Sequence, residues 1–406
     1  MKGQIKRILI VSEYFYPEEF KINDVVIDLV DKGYEVDVIT TNPTYPFGKV
    51  FDGRKNTWFS KDKYFGADIY RVKAVTGYKT STFKKLLKYF NFMVLASIFC
   101  LKHHKRYDAV LGYDVGALTG MLPAALLKKF FGKKVTLWVQ DIWPDSVYAF
   151  GFKKSRLLTF CLDNFVKFVY RHSSNFAISC PGFEDKVNKY CSSKKEIRFV
   201  PNWAESTEKD GDEFQFLNSN TDKVVQFTFA GNIGKFQNLE NVIIGFSLLP
   251  SELVERAQLN IIGDGSNLVN LQKLVERKSI DNVIFHGRKP STAMPSYYKG
   301  SDVLIISLID EPIFSLTIPS KFQTYLAAGK PIFSIMEGEV SELVIANQLG
   351  LIASPAQVDA ISEQFANFIK MEEETKKQYG FNGSNVADTL FHKGSALNNL
   401  ENLLCK

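Results

Sequence analysis

Apolar and polar positions alternate in blocks along this chain, and the blocks predict strands and helices in turn. Residues 7–15, "RILIVSEYF", open on a continuous apolar run that reads as a buried strand. In "KINDVVIDLVDKG", Val25, Val26, Leu29 and Val30 share one helical face, and Gly33 stops the helix. "YEVDVITT", "YDAVLGY", "KVTLWVQD", "NFAISC" and "IRFVPN" read as further strands, with "GMLPAALLKKFFG" and "PGFEDKVNKYC" as helices between them. Continuous apolar strands separated by helices predict a parallel sheet covered on both faces.

Residues 205–223, "ESTEKDGDEFQFLNSNTDK", break the pattern with polar and acidic residues and read as a linker. Alternation then restarts, with strands "VVQFTFAG", "AQLNIIGDG", "NVIFHG" and "DVLIISL" among helices such as "LENVIIGFSLLP" and "SNLVNLQKLVERKS". In "LTIPSKFQTYLAAGKPIF", residues 316–333, a turn leads abruptly into a helix that Gly329 ends, and Pro331 opens the next strand. "LGLIAS" and "VDAISEQFANFIKM" continue the series, and "SALNNLENLLCK" forms a helical tail. The fold class is therefore α/β. Two doubly wound, Rossmann-like domains are expected at 1–204 and 224–385, with the tail, 386–406, packing back toward the first. In such sheets ligands sit at the carboxyl ends of the strands, and a cleft between two domains is a natural site.

Charge is uneven along the 406 residues. Residues 1–206 carry 33 Lys and Arg against 20 Asp and Glu, and the remainder carries 17 against 24. A basic first half implies an anionic partner for that half alone. Nucleic acid is set aside, because no recognition module accompanies the charge. Cys100, Cys161, Cys180, Cys191 and Cys405 form no paired spacing and read as reduced thiols of a cytoplasmic protein. The five His are scattered, so no metal site is expected. The start, "MKGQIKRILIVSEYF", reads as a first strand rather than a signal peptide. The longest apolar run, "FNFMVLASIFCL" at 90–101, is shorter than the roughly 20 residues of a spanning helix. Its basic flanks, "FKKLLKY" and "KHHKRYD", suit either a buried helix or a segment resting on an anionic membrane.

The motif content narrows the chemistry. No G-x-G-x-x-G follows the first strand, and there is no P-loop and no G-x-S-x-G. Nicotinamide-dependent and P-loop chemistry are thereby disfavoured. The second half instead has four glycine-bearing strand ends, "FAGNIGKFQN", "IIGDGSN", "FHGRKP" and "TIPSKFQTYLAAGKP". Glycine at such ends lets a backbone approach a ligand closely. Four of them on one sheet edge suggest a single site.

Together with "WVQDIWPDS" in the first half, these segments resemble glycosyltransferase family 4, and most closely its bacterial capsule and O-antigen branch. The resemblance covers nearly the whole chain and is looser over 45–105. It implies a GT-B fold with a nucleotide-sugar donor in the second domain and the acceptor in the first. It also implies a retaining, metal-independent, hexosyltransferase-class transfer without a cofactor.

By the same resemblance, the donor diphosphate falls to Gly231, Asn232, Gly234, Lys235 and Gln237, with Lys321 as a second cation. Asn232 and Gln237 stand where relatives carry charged residues. A diphosphate leaving without a metal needs such cations and backbone N–H groups. Ser320, Lys321 and Phe322 would offer N–H groups at a helix start. Gly263 and Gly265 line the neighbouring strand end, and Gly287 and Arg288 match the place that receives the nucleobase. Thr324 stands where relatives hold the ribose with a glutamate, so that contact passes to Thr324, Gln323 or backbone. In the first domain Gln140 replaces a His of many relatives. Asp141 follows it and is expected to orient the donor sugar or the acceptor hydroxyl, with a helix N-cap as its structural alternative. Asp145 suits either role. Glu13, with Tyr16, Glu19 and Lys21, lies on a loop placed to read the acceptor.

The expectation is a glycosyltransferase moving a sugar from a UDP-sugar to a saccharide on a polyprenyl diphosphate carrier, which the basic, aromatic region 78–106 would receive. The missing His suits an N-acetylated amino sugar, including a 6-deoxy one. An anionic membrane surface is expected as a partner of the basic domain, on the inner face of the cytoplasmic membrane. A UDP-sugar 2-epimerase and a non-catalytic nucleotide-sugar-binding protein are the alternatives.

Overall fold

The computed structural model describes residues 5–149, 152–204, 214, 216 and 224–405. The linker segment 205–223 lies outside the described residues apart from Phe214 and Phe216. The chain forms two compact units, Met1–Pro201 with Gly394–Lys406, and Asn202–Lys393. The tail boundary thus moves from 386 to 394. The cause is the helix Glu373–Thr389, which runs unbroken through 385 and packs on the helix Ser320–Ala327 of the second unit.

The first unit is built on β1 (Arg7–Val11), β2 (Glu35–Thr41), β3 (Phe59–Tyr64), β4 (Ala67–Val72), β5 (Ala109–Asp114), β6 (Lys134–Val139), β7 (Asn175–Ile178) and β8 (Glu196–Phe199). The sheet order is β3-β4-β2-β1-β5-β6-β7-β8. All neighbours are parallel except β3 and β4, an antiparallel hairpin turning at Phe65 and Gly66, both with positive φ. The last helix, Lys393–Cys405, belongs to this unit from Gly394 onward. Leu400, Leu403 and Leu404 are buried, and Glu401 accepts from Tyr34 and pairs with Lys32.

The apolar run 90–101 lies inside a longer helix, Thr82–His103, whose Ser81 caps it by accepting from Lys84 N–H. That helix is long and apolar enough to cross a membrane by length and composition. Its second half packs instead into the unit, with Phe92, Ala96, Phe99 and Cys100 buried and the helix Leu122–Phe131 against it.

The second unit holds β9 (Val225–Asn232), β10 (Ala257–Asp264), β11 (Val283–Gly287), β12 (Val303–Ser307), β13 (Ile332–Ile335) and β14 (Gly350–Ile352), all parallel, in the order β11-β10-β9-β12-β13-β14. Phe residues build much of its core. The Phe365 ring meets Phe227 at 4.7 Å, Phe333 at 5.0 Å and Phe246 at 5.1 Å, each edge-on. Burying each such ring contributes about 1.5–3 kcal/mol. Strand order reverses between β1 and β5 in the first unit and between β9 and β12 in the second. These reversals mark where each sheet leaves a crevice at its carboxyl edge.

Candidate active site

In the second unit the crevice is shaped by glycines and one lysine. β9 is buried up to Ala230 and emerges at Gly231 and Asn232. Tyr325, on the helix Ser320–Ala327, ties that helix to the strand end: its hydroxyl accepts from Ala230 N–H at 2.9 Å and donates to Ala230 O at 3.0 Å. The helix start is thereby fixed beside Gly231. Gly263 on β10 has φ +143°, and a Cβ there would stand 1.8 Å from Gly231 O. A Cβ on Gly265 would stand 2.4 Å from Ile233 O. The loop after β9 is also pinned by Ile233 N–H on Asp264 O and by Asn267 N–H on Ile233 O, both 2.9 Å. Gly263→Ala is therefore expected to cost about 2–4 kcal/mol through backbone strain and overpacking, visible as a lower melting temperature and weaker UDP binding.

Lys321 occupies this crevice. Its ammonium lies 4.0 Å from the Phe229 ring centroid, and a Cβ on Gly231 would stand 3.0 Å from its Nζ. Burial alone pulls its pKa down to about 7, with no carboxylate opposing the shift. A half-buried ammonium resting on a ring face and a strand-end glycine suits an incoming anion. Phe322 N–H is already spent on Pro319 O at 2.9 Å, so the helix offers the N–H groups of Ser320 and Lys321 rather than three. Gln323 is fully buried, and its amide nitrogen, turned toward Ser320 O and Pro319 O, donates to both at 2.9 and 3.1 Å. It is thus removed from the ribose role. Thr324 stays partly exposed.

The other residues expected here divide. Gln237 Oε1 accepts from Gly234 N–H at 3.0 Å and from Asn232 Nδ2 at 3.3 Å, so both amides brace the loop. Lys235 is exposed and borders a groove of about 800 Å³ that Asn238, Lys273 and Arg277 also line. That groove lies along the helices Leu239–Ser247 and Leu268–Lys278, and Lys321 is not among its lining residues. Gly287, at φ +68°, ends β11 one strand beyond β10, and Arg288 follows it in solvent.

In the first unit the crevice gathers the ends of β1, β5 and β6. Asp141 is not a helix cap, since the next helix starts at Asp145. Its Oδ2 instead accepts from Gly116 N–H at 2.6 Å, joining the loops after β6 and β5. Burial pushes its pKa up, while the Gly116 N–H works against the rise. Trp143 Nε1 donates to Gly116 O at 3.0 Å and fixes the same turn. Gln140 N–H donates to Asp114 O at 2.9 Å. Asp145 pairs with Lys186 at 3.1 Å, a surface role. Asp114, at the end of β5, is buried with both carboxyl oxygens unpartnered, and burial followed by the Asp141 charge drives its pKa well up.

Glu13 does not lie open on the loop. It is 3% exposed and pairs at 2.8 Å with Lys88, itself 3% exposed. The Lys88 ammonium also donates to Tyr14 Oη at 2.7 Å and sits among the rings of Tyr14, Tyr78 and Tyr89. Burial lowers the Lys88 pKa, but Glu13 outweighs it and leaves it above the usual lysine value. Glu18 is also committed, accepting from the N–H groups of Phe15, Thr44 and Tyr45. Sequence reasoning missed Lys88, Asp114 and Gly116. Among the described residues no group of three His, Cys, Asp or Glu is placed to hold a metal ion.

Known proteins match this arrangement. Residues 210–386 fit the family model of glycosyl transferases group 1. The chain is 27% identical over 270 residues to WbjE of Pseudomonas aeruginosa, named as a glycosyltransferase, across 64% of this chain and 66% of that one. It is 26% identical over 342 residues to WcaI of Escherichia coli K12, named as a colanic acid biosynthesis glycosyl transferase, across 80% and 81%. Among solved structures it resembles Anabaena HepE, determined in complex with UDP and glucose, at a TM-score of 0.67 and 11% identity over 98% of each chain. The alignment with WbjE thus spans just under two thirds of that relative. The tandem α/β units have the GT-B fold, and the match to the group 1 glycosyl transferases covers 210–386, within the second unit.

Proposed function

We propose that the protein is a retaining, metal-independent glycosyltransferase of family 4 that uses a UDP-sugar. The observation that carries this reading is Lys321, half-buried against Gly231 and Phe229 with no carboxylate opposing its shift. The solved complex of HepE with UDP and glucose supports the donor class. In the transfer, the bond from the anomeric carbon to the diphosphate oxygen breaks, and the acceptor oxygen bonds that carbon on the same face. The acceptor proton passes to the leaving phosphate oxygen. Lys321 and the N–H groups of Ser320 and Lys321 take up the developing charge. Asp141 orients the sugar or the acceptor hydroxyl.

The name of WcaI, a colanic acid biosynthesis glycosyl transferase, supports a place in polysaccharide synthesis. We assign the acceptor as a saccharide on a polyprenyl diphosphate carrier, met at the cytoplasmic face of the membrane, and the donor as an N-acetylated amino sugar, including 6-deoxy forms. The test is a panel of UDP-sugars with a carrier-linked acceptor extract, read by product mass and UDP release. Turnover of a UDP-amino sugar is the expected result. UDP binding without transfer to any acceptor would leave a binding protein only, and conversion of the free UDP-sugar would indicate an epimerase.

Asp141→Asn keeps the size of the side chain and removes its charge. It is expected to lower kcat by about 10²-fold, the scale of a lost positioning or proton-handling group. UDP affinity, measured by calorimetry, should stay unchanged. Weakened UDP binding would place Asp141 on the donor instead.

A further inference from the structure

The helix Thr82–His103 has an apolar stripe on the wrong side for a core. Phe83, Leu86, Leu87 and Phe90 are 73%, 52%, 42% and 58% exposed. Their spacing of i, i+3, i+4 and i+7 puts them on one face of the first two turns. The opposite face of the same turns points inward and carries Lys88, the cation paired with Glu13. Beside the helix start lies the loop with exposed Tyr45 and Phe47, held there by Gly77 N–H on Gly48 O at 2.8 Å and by Tyr78 Oη on Thr44 O at 3.3 Å. Lys49, Lys79, Lys84 and Lys85 flank this surface, and the first turn of the helix carries no acid.

We propose that this surface docks the first unit on an anionic lipid bilayer, with Phe83, Leu86, Leu87, Phe90 and Phe47 entering the interface and the four lysines meeting the headgroups. An amphipathic face with aromatic and aliphatic residues between lysines binds such a surface by burying apolar area and by charge attraction together. A second copy of the chain is the poorer occupant, because pairing two such faces would set the same lysines against each other. Of the apolar run 90–101, which the sequence singles out, only Phe90 belongs to this stripe; Phe92, Ala96, Phe99 and Cys100 are buried in the unit. The proposal rests on the proposed function only for what the bilayer presents, a carrier-linked acceptor. Docking itself is measured without sugar transfer.

The test is flotation of the full chain with vesicles of phosphatidylcholine containing 30% phosphatidylglycerol, against pure phosphatidylcholine, at 0.1 M NaCl. The chain should float with the anionic vesicles only. The variant Phe83→Ser/Leu86→Ser/Phe90→Ser should bind at least tenfold more weakly, with unchanged melting temperature and UDP affinity. Lys84→Glu/Lys85→Glu should weaken binding and abolish most of its salt sensitivity. Equal flotation of the triple variant, or none by the parent chain, overturns the proposal. So does a doubled mass in solution that the triple variant halves, since that assigns the stripe to self-association. Absent UDP binding with flotation intact would fell the proposed function and leave docking standing.

Discussion

Lys321→Met should reduce kcat/KM by about 10²–10³-fold, the cost of removing one preorganised charge from a leaving group. UDP affinity, measured by calorimetry, should fall in parallel. The unliganded protein should melt no lower than the parent, because the lysine holds a half-buried charge without a carboxylate beside it. Lost affinity at undiminished stability separates a ligand-binding lysine from a structural one. Burial sets the Lys321 pKa at about 7, so pH should modulate binding. Below pH 7 the ammonium is already charged and UDP binding takes up no proton there. Above pH 7 binding must protonate Lys321, and affinity should fall up to tenfold per unit. Calorimetry in buffers of different ionisation heat reads that proton directly. The stability sign is the reverse. The folded value lies below the ordinary lysine value of 10.5, so the unfolded chain binds more protons between about 7 and 10.5. The unliganded protein should therefore gain stability as pH rises through that window. A UDP affinity indifferent to Lys321→Met would remove the lysine from the site.

Most of the fold is legible in the sequence because central parallel strands are buried on both faces and read as unbroken apolar runs. β1 and β12 are such strands. The hairpin of β3 and β4 is not legible, because β3 is an edge strand, "FSKDKY", that alternates between exposed and partly buried positions. The helix Glu373–Thr389 is not legible, because "QYGFNG" puts two glycines, the weakest helix formers after proline, in its middle. Gly380 is there for space, since a Cβ on it would stand 2.1 Å from Gly329 O. Packing has overridden propensity at that contact. In the site, glycine-bearing strand ends can be read locally, and Gly231, Gly263 and Lys321 do converge. Glu13, Asn232, Gln237 and Gln323 look like ligand-binding residues in one dimension. In three dimensions Glu13 is taken up by Lys88 and the others by local hydrogen bonds. Lys88 could not be read at all, because its partners lie about 75 positions away on another element.

That buried pair sets the largest expected effect on stability. Lys88→Met leaves the Glu13 carboxylate enclosed at 3% exposure with its cation gone, and Tyr14 Oη loses its donor. Stranding one buried charge costs about 3–5 kcal/mol, which denaturant titration at pH 7 should report as a lower midpoint with an unchanged slope. Glu13→Gln alone strands the ammonium and should cost a similar amount. The double variant Lys88→Met/Glu13→Gln removes both charges and should recover more than half of either loss, since desolvation opposes the attraction in such pairs. The pH sign follows from the Lys88 pKa, which Glu13 raises above the ordinary value against the pull of burial. The contribution is thus fully present at neutral pH and fades only above the range where a free lysine titrates. Strictly additive losses in the double variant would mean that the two charges do not feel each other. The ion pair would then give no physical reason for the placement of the helix Thr82–His103 beside the β1 end.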